Sequence, residues 1–152
     1  MVEVGQTALD FELPDQNGEP VRLSELRGQT VVVYFYPKAD TPGCTTQACG
    51  IRDHTADYDA AGAVVLGISP DPVKNVKKFA DKHDLRFHLL ADEDHAVAEA
   101  WGPWRERTRR GKTFMGIVRS SFLIDEEGRV QRAWSPVTLE DTVPNAIDAL
   151  KN

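Results

Sequence analysis

Residues Thr30 to Gly50 read TVVVYFYPKADTPGCTTQACG, and the two halves of this stretch follow different rules. Thr30 to Tyr36 is β-branched and aromatic with no polar alternation. A strand with one wet face would alternate, so this one reads as buried on both faces, the central strand of a sheet covered by helices. Pro37 ends it, because proline has no amide to give to a ladder. After a short loop a helix opens at Thr41-Pro42: threonine suits an N-cap and proline the first helical position. Cys44 then falls in the first helical turn, with Cys49 five residues further on.

These are the two cysteines of a 152-residue chain. That length suits one domain spanning residues 1–152, able to bury roughly 68–70% of its unfolded surface without disulfide staples. Hydrophobic residues make up 41% and charged residues 28%, the balance of a soluble globular protein. A formal net charge of -6 argues against nucleic acid or an anionic membrane as partner. No apolar run reaches the length of a membrane span. The opening MVEVGQTALDFEL lacks the basic and then apolar blocks of a secretory signal. The expected compartment is the cytoplasm, where thiols stay reduced and a cysteine pair suggests redox or metal chemistry.

Outward from the central strand, LDFELPDQNGEPVRLSEL alternates on both sides of DQNG and predicts an N-terminal β-hairpin turning at Asn17-Gly18. Ser24 should open a short helical turn. Ala63 to Ser69 repeats the doubly buried strand pattern, and Cys44 to Gly62 is long enough for the crossover helix between the two. A helix with Pro72 at its first position should present Val73, Val76 and Phe79/Ala80 on one face. FHLLAD reads as a strand and EDHAVAEAWG as a short helix stopped by Gly102. VRSSFLIDEEGRVQRAW should form two strands around DEEG. A last helix should begin near Pro144. The pattern predicts an α/β fold with helices on both faces and an antiparallel edge.

The position of Cys44 carries chemistry. Helix N-termini present free amides and about half a positive charge. Both favour a thiolate over a thiol, and only the thiolate is a nucleophile. Gly43 leaves room for a small substrate. On an ideal helix, residues five apart have Cα atoms roughly 9 Å from each other, whereas a disulfide needs about 7 Å or less. Cys44 and Cys49 can therefore bond only if the first turns unwind. Thr45, Thr46 and Gly50 are poor helix formers and suit such a pair. Inert buried thiols are the ordinary alternative, and helix-start placement weighs against it. A zinc site lacks ligands at suitable spacing, and a thioredoxin-type dithiol would have two intervening residues, not four. RERTRRGK (Arg105 to Lys112) holds five basic residues and one acid; it reads as a solvated loop, with Trp101 and Trp104 packing beside it. His54, His83, His88 and His95 show no metal-like spacing, and the carboxylates of ADED (Ala91 to Asp94) read as helix-start caps.

Pro37, Thr41 and Cys44 make the pattern P-x-x-x-T-x-x-C, followed by Cys49. This resembles the peroxiredoxins, and among them the bacterioferritin-comigratory-protein (peroxiredoxin Q) subfamily. GQTALDFELPDQNGEPVRLSELRGQTVVVYFYP, LGISPDPVKNVKKFADKHDLRFHLLADED and WGPWRERTRRGKTFMGIVRSSFLIDEEG are similar to the same subfamily in the same order. WSPVTLEDTVPNAIDAL is less similar to its usual C-terminus. The resemblance implies a thioredoxin-like fold with a central mixed sheet, acting in antioxidant defence and redox homeostasis. It implies reduction of hydrogen peroxide and organic hydroperoxides without metal or other cofactor. Cys44 would be the peroxidatic cysteine, forming a sulfenic acid. Cys49 would be the resolving cysteine, condensing with it to a disulfide that thioredoxin or a similar dithiol reduces. Thr41 would orient the peroxide, Arg119 would favour the thiolate, and Pro37 would shield the site. A monomer is implied, because resolution within one chain needs no partner subunit. A thiol–disulfide exchanger acting on proteins, or a redox-sensing module, are the alternatives that the cysteines alone leave open.

Overall fold

The computed structural model describes residues 2–151. Strands β1 (Glu12–Pro14) and β2 (Pro20–Arg22) pair antiparallel, so the expected hairpin is present. Its turn is closed by the Asp15 carboxylate, which accepts the amides of Asn17 (2.8 Å) and Glu19 (3.0 Å). A 3-10 turn (Leu23–Leu26) leads into β3 (Thr30–Phe35). The crossover that follows is two helices, α1 (Pro42–Asp53) and α2 (Thr55–Ala60), broken at His54. β4 (Ala63–Ser69) has the expected bounds. In α3 (Val73–His83) Pro72 is the N-cap and not the first helical residue. The expected face is the buried one, with Val76, Phe79 and Ala80 turned inward. β5 (His88–Ala91) and α4 (Ala96–Trp101) follow, and Gly102 ends α4 in the left-handed region (φ 109°). Asp92 and Asp94 cap α4 as expected. Asp92 accepts the amides of Val97 (3.2 Å) and Ala98 (2.9 Å), and Asp94 that of Ala96 (3.2 Å).

The basic stretch is the main correction to the expected elements. It is not a loop: β6 (Trp104–Arg109) and β7 (Lys112–Ile117) form a two-stranded ribbon. The turn is Arg110-Gly111, both at positive φ (53° and 77°), the geometry of a two-residue hairpin turn. The ribbon buries little on either face, so it leaves no apolar alternation to read. Trp101 does not pack on a loop either. It is 1% exposed among Phe11, Phe35 and Phe122, while Trp104 stacks on His95 at 3.8 Å. β8 (Ser120–Ile124), β9 (Val130–Trp134) and α5 (Thr142–Lys151) complete the order. Pro144 is the third residue of α5, within the first turn, where no intrahelical amide is needed.

The central sheet is mixed, in the order β5-β4-β3-β8-β9. β3, β4 and β5 run parallel; β8 is antiparallel to β3, and β9 to β8. β3 lies at the centre and explains its own sequence. Val31, Val33 and Phe35 enter one core with α4 and the 3-10 turn, and Val32, Tyr34 and Tyr36 enter the other with α1, α2, α3 and α5. Each such side chain contributes about 1.5–3 kcal/mol relative to exposure. The free edge of β5 is covered by the Gln16 side chain. Its amide donates to Phe87 O (2.9 Å) and accepts from Leu89 N (3.0 Å), in the manner of one further strand residue. Among the described residues no helix is long and apolar enough to cross a membrane.

Tyr34 lies opposite Gly67 on the neighbouring strand. A Cβ at Gly67 would stand 2.8 Å from the Tyr34 ring. Gly67→Ala is therefore expected to destabilise the protein by about 1–3 kcal/mol, read as a lower urea midpoint. Adding Tyr34→Leu should recover part of that loss.

Candidate active site

The site is built where β3 stops. Tyr36 N still donates to Ile68 O (3.0 Å), and Pro37 then turns the chain out of the sheet. The loop from Pro37 to Thr41 is tied down from beneath. Ala39 N donates to the buried Asp71 carboxylate (2.8 Å). Asp40, at φ 63°, pairs with Lys82 (3.1 Å) and His83 (3.3 Å) at the end of α3. The hydrogen bond from Lys82, then that from His83, holds the exposed Asp40 carboxyl below its ordinary range.

Thr41 occupies the N-cap of α1 with extended backbone (φ -93°, ψ 156°), and Pro42 takes the first helical position. The hydroxyl does not cap, contrary to expectation: Thr41 Oγ1 donates to Lys38 O (2.8 Å). The first-turn amides of Gly43 and Cys44 are thus not taken by the cap side chain and remain able to meet an anion. Cys44 lies in this first turn, 2% exposed. Cys49 is half-buried on the same intact helix, and both thiols are free. The Cα separation expected from helix geometry, roughly 9 Å, forbids a bond between them as α1 stands.

Arg119 comes from the link between β7 and β8, beside the end of β3, since Ser120 pairs with Phe35. Its Nη1 lies 3.5 Å from Cys44 Sγ and donates to Gln47 Oε1 at 2.6 Å. Gly43 is what admits the guanidinium. A Cβ there would stand 3.3 Å from Arg119 Nη2 and 3.6 Å from Leu139 Cδ1. Glycine was expected to make room for substrate; what it makes room for here is the arginine. Pro37 and Thr41 are half-buried on the loop that leads into α1. Cys44, Thr41 and Pro37 thus come from one short stretch, Arg119 joins them from just before the neighbouring strand β8, and Cys49 stands apart along the helix.

Gln47 is the residue that reading the sequence missed. It is 2% exposed, a buried polar side chain bonded to the arginine. Its signal was available: three residues after Cys44, it must share a helix face with it. Asp71, Thr142 and Leu139 were also missed, because they arrive from distant segments with no local pattern. Among the described residues no group of three or more His, Cys, Asp or Glu side chains stands together as a metal site.

With this geometry in place, comparison with known proteins is direct. The AhpC/TSA family profile matches residues 4–133. The chain belongs to the AhpC/TSA family. It is 46% identical over 151 residues to Peroxiredoxin Bcp of Bacillus subtilis, covering 99% of this chain and 96% of that protein. It is 51% identical over 133 residues to Peroxiredoxin Bcp of Escherichia coli K12, covering 88% and 85%. A solved structure of Xanthomonas campestris Peroxiredoxin Q superposes with a TM-score of 0.90 at 36% identity, covering 99% of this chain and 96% of that one. The expected subfamily and the thioredoxin-like fold are borne out. As a peroxiredoxin the chain is a thiol-dependent peroxidase, acting on a peroxide with a thiol reductant.

Gly43→Ala tests the placement of the guanidinium. Alanine suits a helix better than glycine by about 1 kcal/mol, so the unfolding midpoint should not fall. The arginine must still give way by a few tenths of an ångström. Alkylation of Cys44 by iodoacetamide, followed by mass spectrometry, should become slower.

Proposed function

We propose that Cys44 is the peroxidatic cysteine and Cys49 the resolving cysteine of this thiol peroxidase. The observation that carries the reading is the cation against the sulfur: Arg119 Nη1 lies 3.5 Å from Cys44 Sγ in the first turn of α1. A helix N-terminus and a guanidinium set positive charge beside the sulfur, and the thiolate is the form that attacks. The thiolate attacks the nearer oxygen of ROOH, the O–O bond breaks, and the departing RO⁻ takes a proton. Cys44 is left as a sulfenic acid. Charge developing on the departing oxygen is met by the free first-turn amides and by Arg119, preorganised dipoles that act where charge appears. Because the Thr41 hydroxyl donates to Lys38 O, its lone pairs can accept the peroxide proton and set the substrate in line. Pro37 walls off water beside it.

The cycle then needs α1 to open. Once the first turns unwind, the Cys49 thiol attacks the sulfenic acid, water leaves, and a Cys44–Cys49 disulfide forms. Thioredoxin or a similar dithiol reduces it, oxidising its own dithiol. Resolution within one chain favours a monomer, and the chemistry suits the cytoplasm. A further Xanthomonas campestris structure, of the bacterioferritin comigratory protein, is described in terms of alkyl peroxide reduction activity. That supports organic hydroperoxides as substrates alongside hydrogen peroxide.

Peroxide consumption with thioredoxin or dithiothreitol tests the roles. Cys44→Ser should abolish turnover. Cys49→Ser should still form one sulfenic acid per chain but no intramolecular disulfide. Oxidised wild type should lose far-UV helicity and amide protection over residues 44–50. Wild-type turnover in Cys44→Ser would overturn the assignment.

A further inference from the structure

We infer that Thr142, at the start of α5, is a positioning residue that latches the wound form of α1 and sets how readily the helix opens between the two chemical steps. The inference rests on the roles given above to Cys44 and Cys49. It comes from a chain of hydrogen bonds whose direction is fixed. Arg119 has only donors, so the Gln47 oxygen must face it, and does so at 2.6 Å. That leaves the Gln47 NH₂ pointing the other way, inside the protein, in need of an acceptor. Thr142 Oγ1 is that acceptor, at 2.9 Å. The Thr142 hydroxyl can accept because its own proton goes to Thr138 O, at 2.8 Å. Gln47 and Thr142 are 2% and 3% exposed, so water cannot replace a missing partner. Reversing the Gln47 amide would set NH₂ against guanidinium.

The latch holds the segment that must move. Gln47 lies between Cys44 and Cys49, so unwinding that brings the sulfurs together pulls it away from both Arg119 and Thr142. One turn on, Val143 Cγ2 would lie 3.7 Å from a Cβ at Gly50. The first turn of α5 therefore holds α1 at Gln47, in the middle of its weak stretch, and lies alongside Gly50 at its end. The wound form is the one that attacks peroxide; the unwound form is the one in which Cys49 can reach the sulfenic acid. While the helix stays wound, a second ROOH can oxidise Cys44–SOH to the sulfinic acid, releasing ROH. Opening competes with that step. Loosening the latch should slow the first step, hasten disulfide formation and protect against overoxidation, opposite signs that general loss of stability would not produce.

The test compares wild type, Thr142→Val, which keeps the shape and removes the hydroxyl, and Thr142→Ser, which restores it. In the reduced proteins, hydrogen exchange of amides 44–50 should quicken about five- to tenfold in Thr142→Val, the effect of one buried hydrogen bond. β3 amides should be unchanged, and Thr142→Ser should match wild type. With excess hydrogen peroxide and dithiothreitol, the peroxide concentration that half-converts Cys44 to sulfinic acid should rise by a similar factor in Thr142→Val alone. Unchanged exchange over 44–50, or faster exchange without a higher sulfinic threshold, would overturn the inference. Failure of the cysteine roles looks different: wild type would then form no Cys44–Cys49 disulfide, while the exchange comparison still decides whether Thr142 restrains the helix.

Discussion

A sulfur in the first turn of α1 faces a guanidinium delivered by a separate segment, and most of the fold serves to hold that pair at 3.5 Å. β3 is buried on both faces and carries the loop outward. α3 grips the loop through Asp40, and Asp71 holds it at Ala39. Arg119 precedes β8, the immediate neighbour of β3. The sheet order therefore decides that the helix start and the arginine share one end of the sheet. Neither partner would suffice alone. A helix terminus offers a partial charge that fades within a turn, and a lone arginine beside an apolar strand would be a desolvated charge without a counterpart. Here the guanidinium also bonds to a buried amide oxygen, so the sulfur is not the only group that holds it.

On the roles proposed for Cys44 and Cys49, α1 has to be firm and breakable at once, and its residues divide accordingly. The second half is anchored: Arg52 donates to His83 O at 2.7 Å, joining α1 to the end of α3. The stretch from Thr45 to Gly50 has poor helix formers. Thr46 bonds back to Pro42 O at 3.0 Å, a local bond that threonine can also make outside a helix. Gly50 lacks a side chain to pack. Opening can thus be confined to the turns between the cysteines while the remainder keeps its place, a local transition that leaves the global stability of the sheet untouched.

Legibility in the sequence followed burial and chain proximity. The doubly buried strands β3 and β4 were plain, because sandwiching between helices leaves no polar alternation. The helix start was plain as well, because Thr-Pro has few other uses at that place. The β6–β7 ribbon was not, since neither face enters a core and no apolar period is written into it. At the site, Pro37, Thr41, Cys44 and Cys49 sit in one stretch and could be reasoned about together. Arg119 could be tied to them only through resemblance, because no local rule joins residues 75 apart in the chain. Gln47 was within reach of helix spacing. Thr142 was beyond any local rule, since its function lies in a contact between the first and last helices of the crossover face.

Why a polar chain and not a leucine contact should join α5 to α1 follows from what the joint must do. An apolar contact would hold the wound form as well, but it would leave greasy surface facing water each time the helix opened. Amide and hydroxyl groups that are costly to leave unpaired inside the protein are well solvated outside it. Arg119–Gln47–Thr142–Thr138 therefore penalises partial loosening, in which a donor stays buried without a partner, more than complete release, in which water takes over. A restraint of that kind favours two states over a continuum, which is the behaviour that the proposed cycle requires of α1.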